Sequence, residues 1–183
     1  MRVITGAARG RRLREPSNMD IRPTTDLVKE SIFNIIQFDI EGRRVLDLFA
    51  GTGQLGIEAL SRGARSATFV DESNEAIKIV RQNLEHCEMR GEVVRDNAAS
   101  FLSRCGKFDL IFLDPPYAST LINDILQKII KFDILADGGI IICETSCETE
   151  LLPLDSPYYI GRDYKYGKVK LTICGKSVGG AQG

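Results

Sequence analysis

Val45-Leu46-Asp47-Leu48, running into Phe49-Ala50-Gly51-Thr52-Gly53-Gln54-Leu55-Gly56, is the stretch from which the rest of the chain can be read. A short apolar run broken by one acid reads as a buried strand. Gly51, Gly53 and Gly56 form a G-x-G-x-x-G turn, and the helix that follows runs from Gln54 to Arg62, where Gly63 ends it. The same alternation continues downstream. Strands are expected at 67–71, 92–95, 108–113 and 139–143. A helix capped by Ser73 turns Ala76, Ile77, Val80 and Leu84 inward, and Asn97 caps a shorter one. Ile122, Ile125, Leu126, Ile129 and Ile130 mark another amphipathic helix. The segments 158–164 and 168–174 read as two strands joined near Gly167, in a hairpin. Upstream, Pro23 and the N-cap Thr24 open a helix with Asp26 in its first turn. Leu27, Val28, Ile32, Ile35 and Ile36 share its apolar face. Residues 2–5 and 10–14 are expected to form a small hairpin around Gly6 and Gly10.

Continuous apolar strands alternating with helices imply an α/β fold, with a parallel sheet covered on both faces. Ligands of such sheets bind beyond the carboxyl ends of the strands. The residues to read together are therefore 47–53, Asp71, Asp96 and 114–117.

The glycine turn with Asp71 about 20 residues on suits a nucleotide-type cofactor, whose ribose hydroxyls a carboxylate can hold. Two candidates share this physics. A nicotinamide dinucleotide would set its pyrophosphate on the helix N-terminus. S-adenosylmethionine has no phosphate. It needs a loop without side chains beside its amino-acid portion and an acid near its ammonium, a place Asp47 can fill. The acidic lead-in through Asp47, Phe49 and Ala50 favours the methyl donor. Asp96 stands where it could meet the adenine amino group or simply start the following helix.

The sharpest signal is Asp114-Pro115-Pro116-Tyr117, directly after an apolar strand. Each proline fixes its own φ and pushes the residue before it towards an extended conformation. The result is a stiff arm that presents acceptors only, the Asp114 carboxylate and the Pro115 carbonyl. An exocyclic base amine is a poor nucleophile, because its lone pair is delocalised into the ring. Two fixed acceptors on its hydrogens let the nitrogen pyramidalise and stabilise the charge that develops on it. Tyr117 can stack on the base, a contact worth roughly 1–3 kcal/mol.

Composition narrows the class. The chain has 183 residues and a net charge of −1. That length suffices to bury roughly 70% of the unfolded surface without a covalent staple. Cys87, Cys105, Cys143, Cys147 and Cys174 form no CxxC pair, and His86 is the sole histidine, so no metal site is expected. No apolar run is long enough to span a bilayer and no signal peptide opens the chain, so a cytoplasmic protein is expected. One domain over 1–174 is anticipated, with 1–22 as a basic extension and 175–183 as a fraying tail. Arg2, Arg9, Arg11, Arg12, Arg14 and Arg22 stand in that extension against only Glu15 and Asp20.

The glycine loop together with Asp114-Pro115-Pro116-Tyr117 resembles the class I amino-methyltransferases of nucleic acids. More narrowly, the chain resembles the RsmD family of bacterial 16S ribosomal RNA guanine-N2 methyltransferases. The likeness runs through Arg22-Pro23-Thr24, the segment 55–64 and the late Tyr166-Gly167. It implies a Rossmann-like, seven-stranded, mostly parallel sheet ending in an antiparallel hairpin. It implies S-adenosylmethionine held by Asp47, Phe49, Ala50, Gly51, Thr52, Gly53, Asp71, Glu72, Asp96, Asn97 and Asp114, with Asp114 to Tyr117 catalytic. It implies a guanine N2 of 16S rRNA as target, in an assembled or partly assembled small subunit, approached by a monomer. Asp71 replaces a commoner glutamate, and Asn97 a commoner small residue. The basic extension would then dock RNA phosphates through Arg9, Arg11, Arg12, Arg14 and Arg22. The rival readings are N6-adenine methylation of DNA or RNA and, on the glycines alone, a dinucleotide-dependent oxidoreductase.

Overall fold

The strand that opens the glycine turn, β1 (Arg44–Leu48), lies third in the order of a seven-stranded sheet. The computed structural model describes residues 1–16, 26–115 and 119–179, with Ser119 and Thr120 by their backbone alone. The other strands are β2 (Ser66–Asp71), β3 (Glu92–Arg95), β4 (Phe108–Leu113), β5 (Leu135–Ser146), β6 (Tyr158–Tyr166) and β7 (Val169–Lys176). Their order is β3-β2-β1-β4-β5-β7-β6. The first five are parallel, and β7 runs antiparallel between β5 and β6. From β1 the chain steps outward to β2 and β3, then returns to β4 on the other side of β1. The loops after β1 and β4 therefore leave the sheet in opposite directions, and the crevice between them is where such sheets bind ligands.

Alternate side chains of the strands feed two cores. One face joins Val45, Phe69, Phe112 and Leu171 to helices α1 (Asp26–Ile35), α2 (Gln54–Ser61) and α3 (Asn74–His86). The other joins Leu48, Val70, Ile111 and Cys143 to α4 (Ala98–Leu102) and α5 (Ser119–Lys131). Leu110, Ile111, Phe112 and Leu113 of β4 are buried on both faces, each burial contributing about 1.5–3 kcal/mol. Cys87, Cys143 and Cys174 are buried, and all five cysteines are free. Ser73 and Asn97 cap α3 and α4 through Ala76 N–H and Ala99 N–H, as their positions suggested.

Several expectations need correction. Leu27 is 63% exposed and does not join the apolar face of α1, where Lys29 and Phe33 are buried beside Val28 and Ile32. Thr24 lies outside the described residues. β5 begins four residues before Gly139. Between its pairings with Phe108 and Leu110 it advances from Leu135 to Ile140, a bulge that accommodates Gly138 at φ 69°. The sheet extends through Lys176, so Gly175 and Lys176 belong to β7 and not to a tail. The N-terminal hairpin is present but short: Arg2 bridges Arg12, flanked by Val3 N–H to the Arg11 carbonyl at 2.9 Å, Gly10 N–H to the Val3 carbonyl at 2.9 Å and Leu13 N–H to the Met1 carbonyl at 3.2 Å.

That arm is nonetheless locked down. Val3, Ala8 and Leu13 are buried in the first core. Glu58, itself fully buried, accepts from Ile4 N–H at 2.7 Å, Thr5 N–H at 3.0 Å and Arg62 Nε at 2.8 Å. Lys29 Nζ lies 4.0 Å from Glu58 and donates to the Arg2 carbonyl at 2.5 Å. Burial pushes the Lys29 ammonium below its usual range, and Glu58 opposes that shift. A Cβ on Gly6 would fall 1.7 Å from the Ser61 carbonyl oxygen, so only glycine lets the arm pass the end of α2 this closely.

Candidate active site

The turn after β1 is built by backbone hydrogen bonds before any side chain contributes. Phe49 and Ala50 both donate their N–H to the Val70 carbonyl, at 3.0 and 2.9 Å, and Gly53 N–H closes on Ala50 at 2.7 Å. This geometry forces Phe49 to φ 78°, a left-handed conformation that costs an ordinary residue about 1–2 kcal/mol. Gly51 and Gly53 also have positive φ, 54° and 76°. The three glycines do different work. A Cβ on Gly56 would stand 2.3 Å from the Phe69 ring, so Gly56 allows α2 to pack on β2. A Cβ on Gly51 would meet nothing within 4 Å, so that glycine keeps the rim of the crevice open to a close-lying ligand.

Acids surround the turn. Asp47 Oδ2 accepts from Gly56 N–H at 2.9 Å, inside the core. Burial pushes its carboxyl up to about 7. The Gly56 N–H partly opposes this, and the charges of Asp114 and Asp71 add to it. Asp71 accepts from Gly51 N–H through one oxygen and from Ser73 N–H through the other, both at 2.9 Å. A carboxylate has about four acceptor sites, so Asp71 retains capacity for two hydroxyls. Asp114 and Pro115 follow β4, half-buried, where Leu113 lies beside both Leu48 and Cys143 in register. Asp47, Asp71 and Asp114 thus converge from three neighbouring strand ends. Such a cluster calls for a cationic ligand. S-adenosylmethionine, with a sulfonium and an ammonium, fits it better than a dinucleotide carrying a pyrophosphate.

The remaining sequence-based candidates divide. Asp96 pairs with the Arg104 guanidinium and accepts from Asn97 N–H at 2.8 Å. Desolvation alone would raise its carboxyl, but Arg104 and Asn97 together hold it below the usual range. Asn97 caps α4 and reaches the exposed Glu72 at 3.5 Å. Arg9 and Arg12 are exposed. Arg11 instead binds Glu88 at 2.7 Å and the His86 carbonyl, tying the arm to the end of α3. Arg14 is exposed, but its backbone is tied to Asn83. Pro116, Tyr117 and Arg22 lie outside the described residues. Among the described residues no group of side chains could hold a metal ion, and no helix is long and apolar enough to cross a membrane.

Two groups were missed by the sequence reading, Asn83 and the Lys29–Glu58 pair. The available signal was a polar side chain on an apolar helical stripe: Asn83 stands three residues after Val80, and Lys29 three and four before Ile32 and Phe33.

A switch point flanked by a glycine turn and an acid-proline arm defines a class I methyltransferase. Residues 1–175 match the model of the family described as Conserved hypothetical protein 95. YlbH of Bacillus subtilis (strain 168) is 41% identical over 179 residues, covering 94% of this chain and 97% of its own. The Ribosomal RNA small subunit methyltransferase D of Escherichia coli (strain K12) is 34% identical over 175 residues, covering 94% and 88%. The solved structure of yhhF from Escherichia coli superposes with a TM-score of 0.88 at 32% identity, over 97% of this chain and 98% of that one. The chain belongs to this family, the RsmD methyltransferases, and its methyl donor is S-adenosylmethionine.

Proposed function

We propose that the protein, acting as a single-domain monomer, methylates the exocyclic N2 of a guanine in 16S ribosomal RNA, within an assembled or partly assembled small subunit. The observation that carries this reading is Asp114, fixed at the end of β4 across the switch point from the glycine turn and close enough to Asp47 to shift its titration. The methyl donor, when bound, supplies an electrophilic methyl group on a sulfonium. Gly51 leaves room for its amino-acid portion, with Asp47 and Asp71 as the acids towards its ammonium and ribose. Asp96, Asn97 and Glu72 line the adenine side.

The target base enters beside Asp114 and Pro115. The Asp114 carboxylate and the Pro115 carbonyl accept the two amine hydrogens, which frees the nitrogen lone pair. The N–C bond would form as the methyl's bond to sulfur breaks, leaving the donor a neutral thioether; the same oxygens stabilise the positive charge on nitrogen, and one proton then passes by way of the Asp114 carboxylate to solvent. By their places in the sequence, Tyr117 is the side chain assigned to stack on the base and Pro116 the residue assigned to restrict the arm. Arg9, Arg12 and Arg14, with Arg22, meet RNA phosphates, and Arg11 supports them from its anchor on α3. The relatives named as acting on ribosomal RNA support this choice of substrate.

The test is transfer of labelled methyl groups to naked 16S rRNA, small subunits and DNA, followed by mass spectrometry of the nucleosides. N2-methylguanosine from RNA or subunits is expected, and N6-methyladenine would establish the rival base. Asp114→Ala should abolish transfer while retaining donor affinity, and Asp114→Asn should keep part of the rate. Normal turnover by Asp114→Ala refutes the mechanism.

A further inference from the structure

Asn83 is fully buried in α3, and every hydrogen-bonding group of its side chain is used between two separate pieces of the chain. Its Nδ2 donates to the Thr52 carbonyl at 2.9 Å and to the Arg14 carbonyl at 3.2 Å. Its Oδ1 accepts from Arg14 N–H at 2.7 Å. Thr52 is the central residue of the glycine turn, and Arg14 lies two residues beyond Arg12 in the basic arm. A second thread runs between the same pieces, from Thr52 Oγ1 to Met1 Sδ at 3.4 Å.

We propose that Asn83 is a positioning residue that latches the N-terminal arm to the methyl-donor loop, so that occupancy of the donor site orders the arm. Its RNA consequence rests on the reading of the arm as an RNA-docking surface. The amide is the side chain suited to this position. An aspartate lacks the N–H donors and would set an oxygen against two carbonyls. A leucine would leave the Thr52 carbonyl and Arg14 N–H buried without partners, groups that resist such isolation. A ligand lying against Gly51 restrains Thr52 directly, and Thr52 restrains the arm through one rigid side chain. By linkage, a docked arm then strengthens donor binding by the same factor that the donor strengthens docking.

The experiment is amide hydrogen exchange on the wild-type chain with and without S-adenosylhomocysteine, read at Val3, Leu13 and Arg14. The expected result is exchange slowed about fivefold or more at Arg14, in the range usual for coupled sites. In Asn83→Asp that response should disappear and the donor KM should rise by a comparable factor. Arg14 exchange that ignores S-adenosylhomocysteine in the wild type overturns the proposal without needing any variant. So does an Asn83→Asp protein that loses thermal stability but keeps the donor KM and the Arg14 response. Replacing Arg9 and Arg12 by alanine separates the two readings. RNA affinity unchanged across a salt series would remove the arm from RNA recognition and leave the Asn83 latch standing.

Discussion

Donor binding should be proton-linked through Asp47. Its carboxyl titrates near 7 because it is buried and faces two further acids, Asp114 and Asp71. A cation placed in that cluster favours the ionised form, so binding below neutrality must expel a proton. With a pKa of about 7, roughly a tenth of the free protein has Asp47 ionised at pH 6 and about three quarters at pH 7.5. Affinity for S-adenosylmethionine should therefore tighten roughly eightfold across that interval, about 1.2 kcal/mol. Titration calorimetry in two buffers of different ionisation enthalpy reads both the affinity and the protons released, and staying below pH 7.5 keeps the donor's own amino group charged. Asp47→Asn retains an oxygen for Gly56 N–H, so it should fold, bind with a flat pH profile and release no proton from this site. The same shift bears on stability. Because the folded value lies above the unfolded one, the folded chain holds an extra proton between about pH 4 and 7. The free protein's stability contribution from Asp47 is full below that window and is lost as pH rises through 7. A wild-type affinity that does not change from pH 6 to 7.5, or an identical slope in Asp47→Asn, refutes this reasoning.

Glu58→Gln should destabilise the fold by about 3–5 kcal/mol in denaturant titration, since Lys29 and Arg62 lose their buried counter-charge. Lys29→Met combined with it should recover part of that loss. Gly56→Ala, which drives a methyl into the Phe69 ring, should lose about 1–3 kcal/mol of stability. Gly51→Ala should instead weaken S-adenosylhomocysteine binding more than it lowers the unfolding temperature. Asp133 is held below the usual carboxylate range by Lys107 and Lys176. Asp133→Asn should therefore be less stable than wild type at neutral pH, and acid titration should show the gap begin to close near pH 4, where the unfolded chain takes up the proton, and close fully only at the still lower pH where the folded carboxylate does.

The parallel core was legible because its strands are short apolar runs and the helices between them carry their own end signals, as Gly63, Ser73 and Asn97 do. The place of β7 between β5 and β6 was not legible, since hairpin patterning fixes that two strands pair and not which of them meets the sheet. β5 was read too short because Asp137 and Gly138 look like a loop, and only a bulge lets them continue the strand. At the candidate site, Asp47, Asp71, Asp114 and the glycines were picked out by their places at or just beyond strand ends, and the structure brings the three acids to one crevice. Arg11 was read as a free cation, yet its partners, Glu88 and the His86 carbonyl, lie more than seventy residues away. Asn83 and Lys29 escaped for the same reason: their partners come from the arm, the turn and α2, which pattern alone does not bring together.

The interlocked arm has a practical bearing on how its arginines are studied. Cutting away residues 1–14 would strip Val3, Ala8 and Leu13 from the core and take from buried Glu58 the Ile4 and Thr5 N–H donors. A truncated protein that failed to bind RNA would then report a damaged scaffold rather than a missing charge. Side-chain exchanges at Arg9 and Arg12 alone, both pointing outward, leave the framework whole and are the clean instrument for that question.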